Sequence, residues 1–119
     1  MFDYANGDAQ VTYLGAYFMA RSVGARIFTG QVSCSNETTP TYGLPQLSTL
    51  GPVTSGSILI GWEYENIGCG PIENIPPNKE TDTHSKPRDD PRNLQNMDSF
   101  FRNDEIYDIC GGKGCYIPA

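Results

Sequence analysis

Prolines and glycines interrupt this chain so often that only a few segments can form regular secondary structure. The 119 residues include 13 Gly and 9 Pro, and proline fits neither inside a helix nor in a central strand because it donates no backbone hydrogen bond. Pro40, Pro45 and Pro52 fall in the Thr-, Ser- and Asn-rich segment 35–55. We interpret that segment as a long surface loop, so the regular elements must come from either side of it.

Three segments outside this loop have the patterns of β-strands. Residues 57–65 alternate most regularly, and their apolar face consists of Ile58, Ile60, Trp62 and Tyr64. Residues 9–20 are apolar on both faces, which predicts a buried strand, and residues 25–34 are predicted to form a second strand with one wetter face.

The composition changes after residue 66, where prolines, glycines and balanced charges dominate. Residues 79–92 alone should be extended or disordered, because such a composition cannot bury enough apolar surface to fold. We predict a helical turn capped by Asp98 and a short strand over residues 106–110. The sequence therefore predicts a β-strand domain at residues 1–66, followed by a Pro/Gly-rich extended arm at residues 67–119 with a Cys-bearing end.

The charge distribution limits the partners that the chain can have. The formal net charge is −6, and binding to nucleic acid phosphates needs clustered Lys and Arg, so we expect no direct nucleic acid binding. Residues 9–20 lack charge but are too short to span a bilayer of about 30 Å, and no membrane partner is expected. Asp3 and Asp8 do not fit the start of a signal peptide.

The four cysteines, Cys34, Cys69, Cys110 and Cys115, are compatible with two disulfides or with reduced thiols. Cys110 and Cys115 enclose a glycine-rich loop, and their four intervening residues fit a zinc site or a redox pair poorly, since these usually have two. Either a disulfide closes this loop, or the two cysteines pair back to Cys34 and Cys69. Asn36 begins a glycosylation sequon, which matters only if the chain enters the secretory pathway.

The sequence contains no constellation typical of catalysis. His84, the single histidine, lies in a polar segment without an obvious orienting partner, and we interpret it as a surface residue. The small groups of acids, such as Asp3 with Asp8, match no specific calcium loop and are interpreted as solvated. We therefore expect no catalytic, cofactor or metal site, and no enzyme.

Residues 41–65 carry a resemblance to a known family. Leu50-Gly51-Pro52 leads into the alternating strand 57–65, and this resembles the last strand of the jelly-roll coat proteins of small icosahedral RNA viruses. The resemblance implies an all-β fold: an antiparallel sandwich, jelly-roll-like in part, with long loops and an extended C-terminal arm. It also implies a structural role in a shell, without catalysis by this chain. The chain lacks the basic arm and the full strand number of such proteins.

These expectations converge on a structural assembly protein. A closed sandwich usually needs about seven strands, and exposed sheet edges pair with other chains. The sequence thus predicts a virion capsid subunit, or a cleaved part of one, that contacts other protein subunits through sheet edges and its C-terminal arm. The alternative is a secreted, disulfide-stapled module that binds glycan or calcium outside the cell.

Overall fold

The structure, a computed structural model, describes residues 1–5, 8, 10, 12–29, 44–64, 82–111 and 115–117. These residues form five strands and three helices. The strands are β1 (Phe2–Ala5), β2 (Arg26–Phe28), β3 (Gln46–Leu47), β4 (Ile58–Tyr64) and β5 (Cys115–Ile117). The helices are α1 (Tyr13–Ser22), α2 (Lys86–Asp89) and α3 (Pro91–Asn103). Within the described ranges, no helix has both the length and the apolar character needed to cross a bilayer.

All pairs between the five strands are parallel, and β4 lies at the centre. The path through the sheet is β1-β4-β2-β3, and β5 also pairs with β4. Trp62 pairs with Ala5 of β1 and with Cys115 of β5. Since β1 occupies one side of Trp62, β5 must occupy the other side, which is the edge where β2 pairs with the start of β4.

The predicted all-β antiparallel sandwich is therefore wrong, because the sheet is parallel throughout and helices accompany it. Neighbouring parallel strands cannot be joined by a tight hairpin and need a crossover connection. Helix α1 lies in the crossover from β1 to β2, which are parallel and flank β4. In the described part of residues 67–119, helices α2 and α3 and strand β5 stand in place of the extended C-terminal arm of that prediction.

Strand β4 separates two apolar cores, and its alternation is confirmed. Leu59 packs on one face with α1 residues, whereas the other face carries the predicted set Ile58, Ile60, Trp62 and Tyr64. The residues from Ile58 to Ile60, and Trp62, are completely buried. Full burial of a large apolar side chain contributes about 1.5–3 kcal/mol, so this strand is the main organiser of the sheet.

Helix α1 occupies most of the segment that was predicted as a buried strand, and that prediction is wrong. Its buried residues are Tyr13, Tyr17 and Ala20, a spacing that places them on one face of a helix. The helix ends in a Schellman motif: Gly24 adopts φ 67°, and the Ala25 N–H donates to the Ala20 carbonyl over 2.8 Å. This turn directs the chain into β2.

The C-terminal half is more helical than predicted. Asp90 is the N-cap of α3, where its side chain accepts a hydrogen bond from the Arg92 N–H over 2.8 Å. Pro91 follows at the first helical position, which suits its fixed φ. The predicted extended character of residues 79–92 is wrong for its described part, and Asp98 lies inside α3 instead of capping a turn.

The remaining strand predictions are partly confirmed. The segment 25–34 contains β2 at Arg26–Phe28, and residues 30–34 lie outside the described part. The predicted loop 35–55 includes β3, whose two residues pair with β2. The predicted strand at residues 106–110 is reduced to one antiparallel bridge between Ile106 and Val53.

Candidate functional site

The topology of the sheet creates a crevice beside β1. Strand β1 is followed by α1, which packs on the Leu59 face, whereas α3, which follows β4 in the chain, places Phe100 against the opposite face. Neighbouring parallel strands whose connections leave toward opposite faces form a crevice at their carboxyl ends, where α/β proteins bind ligands. α1 and α3, which follow β1 and β4 in the chain, lie on opposite faces of the sheet in this way.

A cleft with a cavity volume of about 260 Å³ lies at this position, and we call it the edge cleft. This volume is close to the lower limit of ordinary small-molecule pockets. Residues of β1, the following loop, α1, α2 and α3 contribute to the lining, which consists of Asp3, Tyr4, Ala5, Asp8, Ala16, His84, Pro87, Arg88, Asn93 and Met97.

Asp8 and His84 form a hydrogen-bonded pair in the edge cleft. The Asp8 Oδ2 atom lies 3.0 Å from His84 Nδ1, and Asp8 is buried although the histidine side chain is 36% exposed. Since a carboxylate only accepts, Nδ1 carries a proton in this pair and Nε2 of the neutral ring keeps a free lone pair. The arrangement therefore orients an imidazole that can accept a proton.

Further hydrogen bonds hold this pair in place. The Asp8 Oδ1 atom accepts from the Gln10 N–H over 2.8 Å, and the Gln10 side-chain amide donates to Asp82 Oδ2 over 2.8 Å. Asp82 Oδ1 in turn accepts from the His84 N–H over 3.2 Å. The loop after β1 and the segment before α2 are thus joined through polar contacts on both sides of the pair.

Asp3 provides a second carboxyl group in the edge cleft, and burial raises its pKa. It is half-buried on β1, and its Oδ1 accepts a hydrogen bond from Trp62 Nε1 over 3.2 Å. Burial raises the pKa of the Asp3 carboxyl above its ordinary value, and hydrogen bonds from Trp62 and Asn93 oppose this shift. Asp3 therefore keeps a proton to higher pH than an exposed aspartate.

Asn93 and Arg88 add polar groups to the same cleft. Asn93 is 1% exposed and donates from Nδ2 to the Pro87 carbonyl over 2.9 Å. Its Oδ1 atom is buried without a hydrogen-bond partner among the described residues. A buried acceptor without a partner costs about 1–3 kcal/mol, and a ligand that donates to it would recover this energy. Arg88 is exposed and brings a positive charge to the rim.

A larger cavity of about 420 Å³ lies along α3. Its lining includes Asn96, whose side chain makes two hydrogen bonds to the Tyr107 backbone, over 2.8 and 3.0 Å. These contacts fix the chain after α3. We base the candidate site on the smaller edge cleft because it combines an oriented imidazole with a carboxyl group of raised pKa.

The structure changes the interpretation of several residues singled out in the sequence. His84, interpreted as a plain surface residue, is paired with a buried carboxylate, and Asp3 and Asp8 line one cleft. Asp8 and His84 are 76 positions apart in the chain, so the spacing of residues in the sequence could not indicate that they form a pair. The part of the chain that the structure describes contains no group of three or more His, Cys, Asp or Glu side chains that could hold a metal ion.

Cys110 and Cys115 form a disulfide that closes the glycine-rich loop between them. Of the alternatives left open for this pair, the structure adopts the disulfide. Cys34, Cys69 and the sequon residue Asn36 lie outside the described residues.

Comparison with protein-family models, with curated proteins and with solved structures gives no match for this chain. The jelly-roll resemblance of residues 41–65 gains no support from the fold either, because a jelly roll is antiparallel and this sheet is parallel.

Proposed function

We propose that the protein is a hydrolytic enzyme that acts on a small polar substrate in the edge cleft, with His84 as general base and Asp3 as general acid. The Asp8–His84 hydrogen bond is the observation that carries this proposal. It departs from the expectation of a protein without catalysis, which was based on the apparent isolation of the single histidine.

The base function follows from the orientation of the imidazole. The buried Asp8 carboxylate fixes the tautomer with Nε2 unprotonated and stabilises the imidazolium that forms when Nε2 accepts a proton. His84 is partly exposed, so a water molecule can approach Nε2 and lose a proton to it while attacking the substrate.

The acid function follows from the environment of Asp3. Burial favours the protonated form of Asp3, so this group can deliver a proton to a leaving group. Arg88 and the Asn93 Oδ1 atom favour a substrate with a negatively charged or hydroxyl-rich part.

The test is a hydrolysis assay with p-nitrophenyl carboxylate esters, phosphate esters and glycosides. His84→Gln and Asp8→Asn should each slow the hydrolysis of the accepted class by about 100-fold or more, since a positioned base contributes 10²–10⁴. Asp98→Asn is the matched control, because Asp98 is exposed on α3, outside the edge cleft, and forms an ion pair with Arg102.

Two results would contradict the proposal. The first is a wild-type rate that does not exceed the spontaneous rate for any of the three substrate classes. The second is a hydrolysis rate that persists in His84→Gln. Nitrogen-15 NMR gives an independent check, because the chain contains one histidine: Asp8→Asn should shift the proton from Nδ1 toward Nε2.

Assembly with other copies of the chain is a second proposal, and one observation favours it. Phe18, Met19 and Val23 are each more than half exposed on the outer side of α1, where a helix normally carries polar residues. A symmetric dimer that pairs two α1 helices would bury these side chains. Light scattering after size-exclusion chromatography tests it: Phe18→Ser should dissociate a dimer, and a wild-type monomer would refute it.

A further inference from the structure

We propose that the Cys110–Cys115 disulfide is a site of reversible thiol–disulfide exchange, open to a dithiol through Cys110, and that its reduction loosens β5 from the sheet. This inference does not depend on the proposed hydrolytic function. It rests on the unequal burial of the two cysteine residues and on the position of Arg92.

The two cysteines differ in accessibility. Cys115 is completely buried and begins β5, where it pairs with Trp62 of β4. Cys110 is only partly buried, in the turn that continues into Gly111 with φ 65°. Cys110 is therefore the half of the disulfide at which we expect an attacking thiolate to arrive.

A cation lies beside the accessible sulfur. The Arg92 Nη1 atom is 4.0 Å from Cys110 Sγ. Asp90 holds the guanidinium through an ion pair of 2.9 Å, and the guanidinium lies over the Trp62 ring at 5.3 Å from the centroid. A fixed positive charge at this distance stabilises a thiolate on Cys110, which makes it a better leaving group and a more reactive thiol after reduction.

The exchange balances as follows. One thiolate of the dithiol attacks Cys110 Sγ, the S–S bond breaks, and the electron pair goes to Cys115 Sγ, which takes the proton of the dithiol's second thiol. The second sulfur, now a thiolate, attacks the dithiol's own sulfur in the mixed disulfide and expels Cys110 as a thiolate beside Arg92. The dithiol becomes a cyclic disulfide, and two electrons pass to the protein.

Reduction removes a covalent restraint from a short strand. β5 has three residues, pairs with β4, and accepts a hydrogen bond from Arg92 at the Tyr116 carbonyl over 3.4 Å. A strand this short forms few backbone hydrogen bonds, and the disulfide adds a covalent restraint to them and to the packing of Cys115 in the core. We therefore expect β5 to separate from β4 more readily in the reduced protein.

Trp62 reports on the change directly. It is the single tryptophan of the chain and pairs with Cys115, and disulfides quench nearby excited indole rings. The full chain is titrated with dithiothreitol under native conditions, while Trp62 emission is followed and free thiols are trapped with iodoacetamide. Peptide mass mapping assigns each trapped thiol, so that Cys34 and Cys69 are read separately.

The proposal predicts that Cys110 and Cys115 are trapped together in the native protein and that Trp62 emission rises at the same rate. Cys110→Ser/Cys115→Ser should remove this emission change. Arg92→Gln should slow the exchange by roughly tenfold, because the side chain beside Cys110 then no longer attracts the incoming thiolate and no longer stabilises Cys110 when it leaves in the second step. Arg92→Lys should retain most of the rate, and Arg102→Gln, the same change on an exposed part of α3, should leave it unaltered.

Three outcomes would overturn the proposal. The pair could resist dithiothreitol until the protein is unfolded in urea, which would show a purely structural disulfide. Arg92→Gln and Arg102→Gln could exchange at equal rates. Hydrogen exchange of residues 115–117 could be the same in the oxidised and reduced proteins, which would refute the loosening of β5.

Discussion

Gly61 lies in the middle of β4, beneath the ring of Tyr4, and its replacement by alanine tests the packing of the sheet. An alanine Cβ at this position would lie 2.6 Å from Cζ and 2.8 Å from Cε1 of Tyr4, and closer still to the Tyr4 hydroxyl. The ring cannot move away at low cost, because Tyr17 donates a hydrogen bond of 2.6 Å to the Tyr4 hydroxyl and the two rings pack edge to face at 4.9 Å.

The cost of Gly61→Ala follows from these contacts. Overpacking of a core costs about 1–3 kcal/mol, and loss of the hydrogen bond between Tyr17 and Tyr4 adds about 0.5–1.5 kcal/mol. We expect the free energy of unfolding to fall by about 2–4 kcal/mol. Gly15→Ala is the matched control: an alanine Cβ there meets nothing within 4 Å, inside α1. It should stabilise the protein by about 0.5–1 kcal/mol.

Urea unfolding without reductant, followed by far-UV circular dichroism, measures the free energy of unfolding of both glycine variants. We expect its dependence on urea concentration to be the same in the variants and the wild type. The two glycine substitutions should move the midpoint in opposite directions. The packing argument is refuted if Gly61→Ala lies within about 0.5 kcal/mol of the wild type, the range of an ordinary surface substitution. It is also refuted if Tyr4→Ala fails to relieve the effect in the double mutant.

Three further predictions concern stability. Asn96→Ala should lower the free energy of unfolding by about 2–3 kcal/mol in urea titrations, because the Tyr107 N–H and carbonyl lose their partners. Asp90→Ala should cost about 1–2 kcal/mol at neutral pH through loss of the α3 cap. Hydrogen bonding to Arg92 lowers the pKa of Asp90, so the stabilisation is lost as pH falls through the folded-state pKa, and the difference from wild type should shrink in acid. The pKa of Asp3 is raised, so its effect on stability depends on pH in the opposite direction: the free energy of unfolding of the wild type falls as pH rises through the titration of Asp3. Asp3→Asn should therefore be more stable than the wild type at neutral pH and lose this advantage in acid.

Strand β4 could be predicted from the sequence because its two faces differ in polarity over seven residues. Ile58, Ile60 and Trp62 alternate with residues that pack on the other side, and a strand is the structure that separates them. The other strands have two to four residues, which is too short for a period of two to be recognised.

Helix α1 could not be distinguished from a buried strand by its pattern. Its sequence is apolar on all sides, and Tyr and Phe favour strands, whereas Gly15 weakens a helix. The helical signal is the spacing of Tyr13, Tyr17 and Ala20, and it is hidden because Phe18 and Met19 are equally apolar but exposed. Without this crossover helix, a parallel sheet could not be inferred.

The start of helix α3 is indicated in the sequence by a pair of residues that a search for apolar patterns does not use. Asp90-Pro91 combines a favoured N-cap with the residue most suited to the first helical position. The buried face, however, is polar, since Asn93 and Asn96 are each 1% exposed. A search for apolar periodicity therefore passes over it.

The candidate site depends on topology more than on any local motif. Asp8 and His84 are 76 positions apart, and they meet because β1 and β4 are neighbours whose connecting helices lie on opposite faces of the sheet. In an antiparallel sandwich these two loops would have no reason to converge, and a solvated histidine was the consistent interpretation of that fold. The Asp8–His84 pair depends on the pairing of β1 with β4, which is also part of the parallel sheet that contradicts the sandwich prediction. An experimental structure in which β1 and β4 do not pair would therefore remove both the edge cleft and the proposed base.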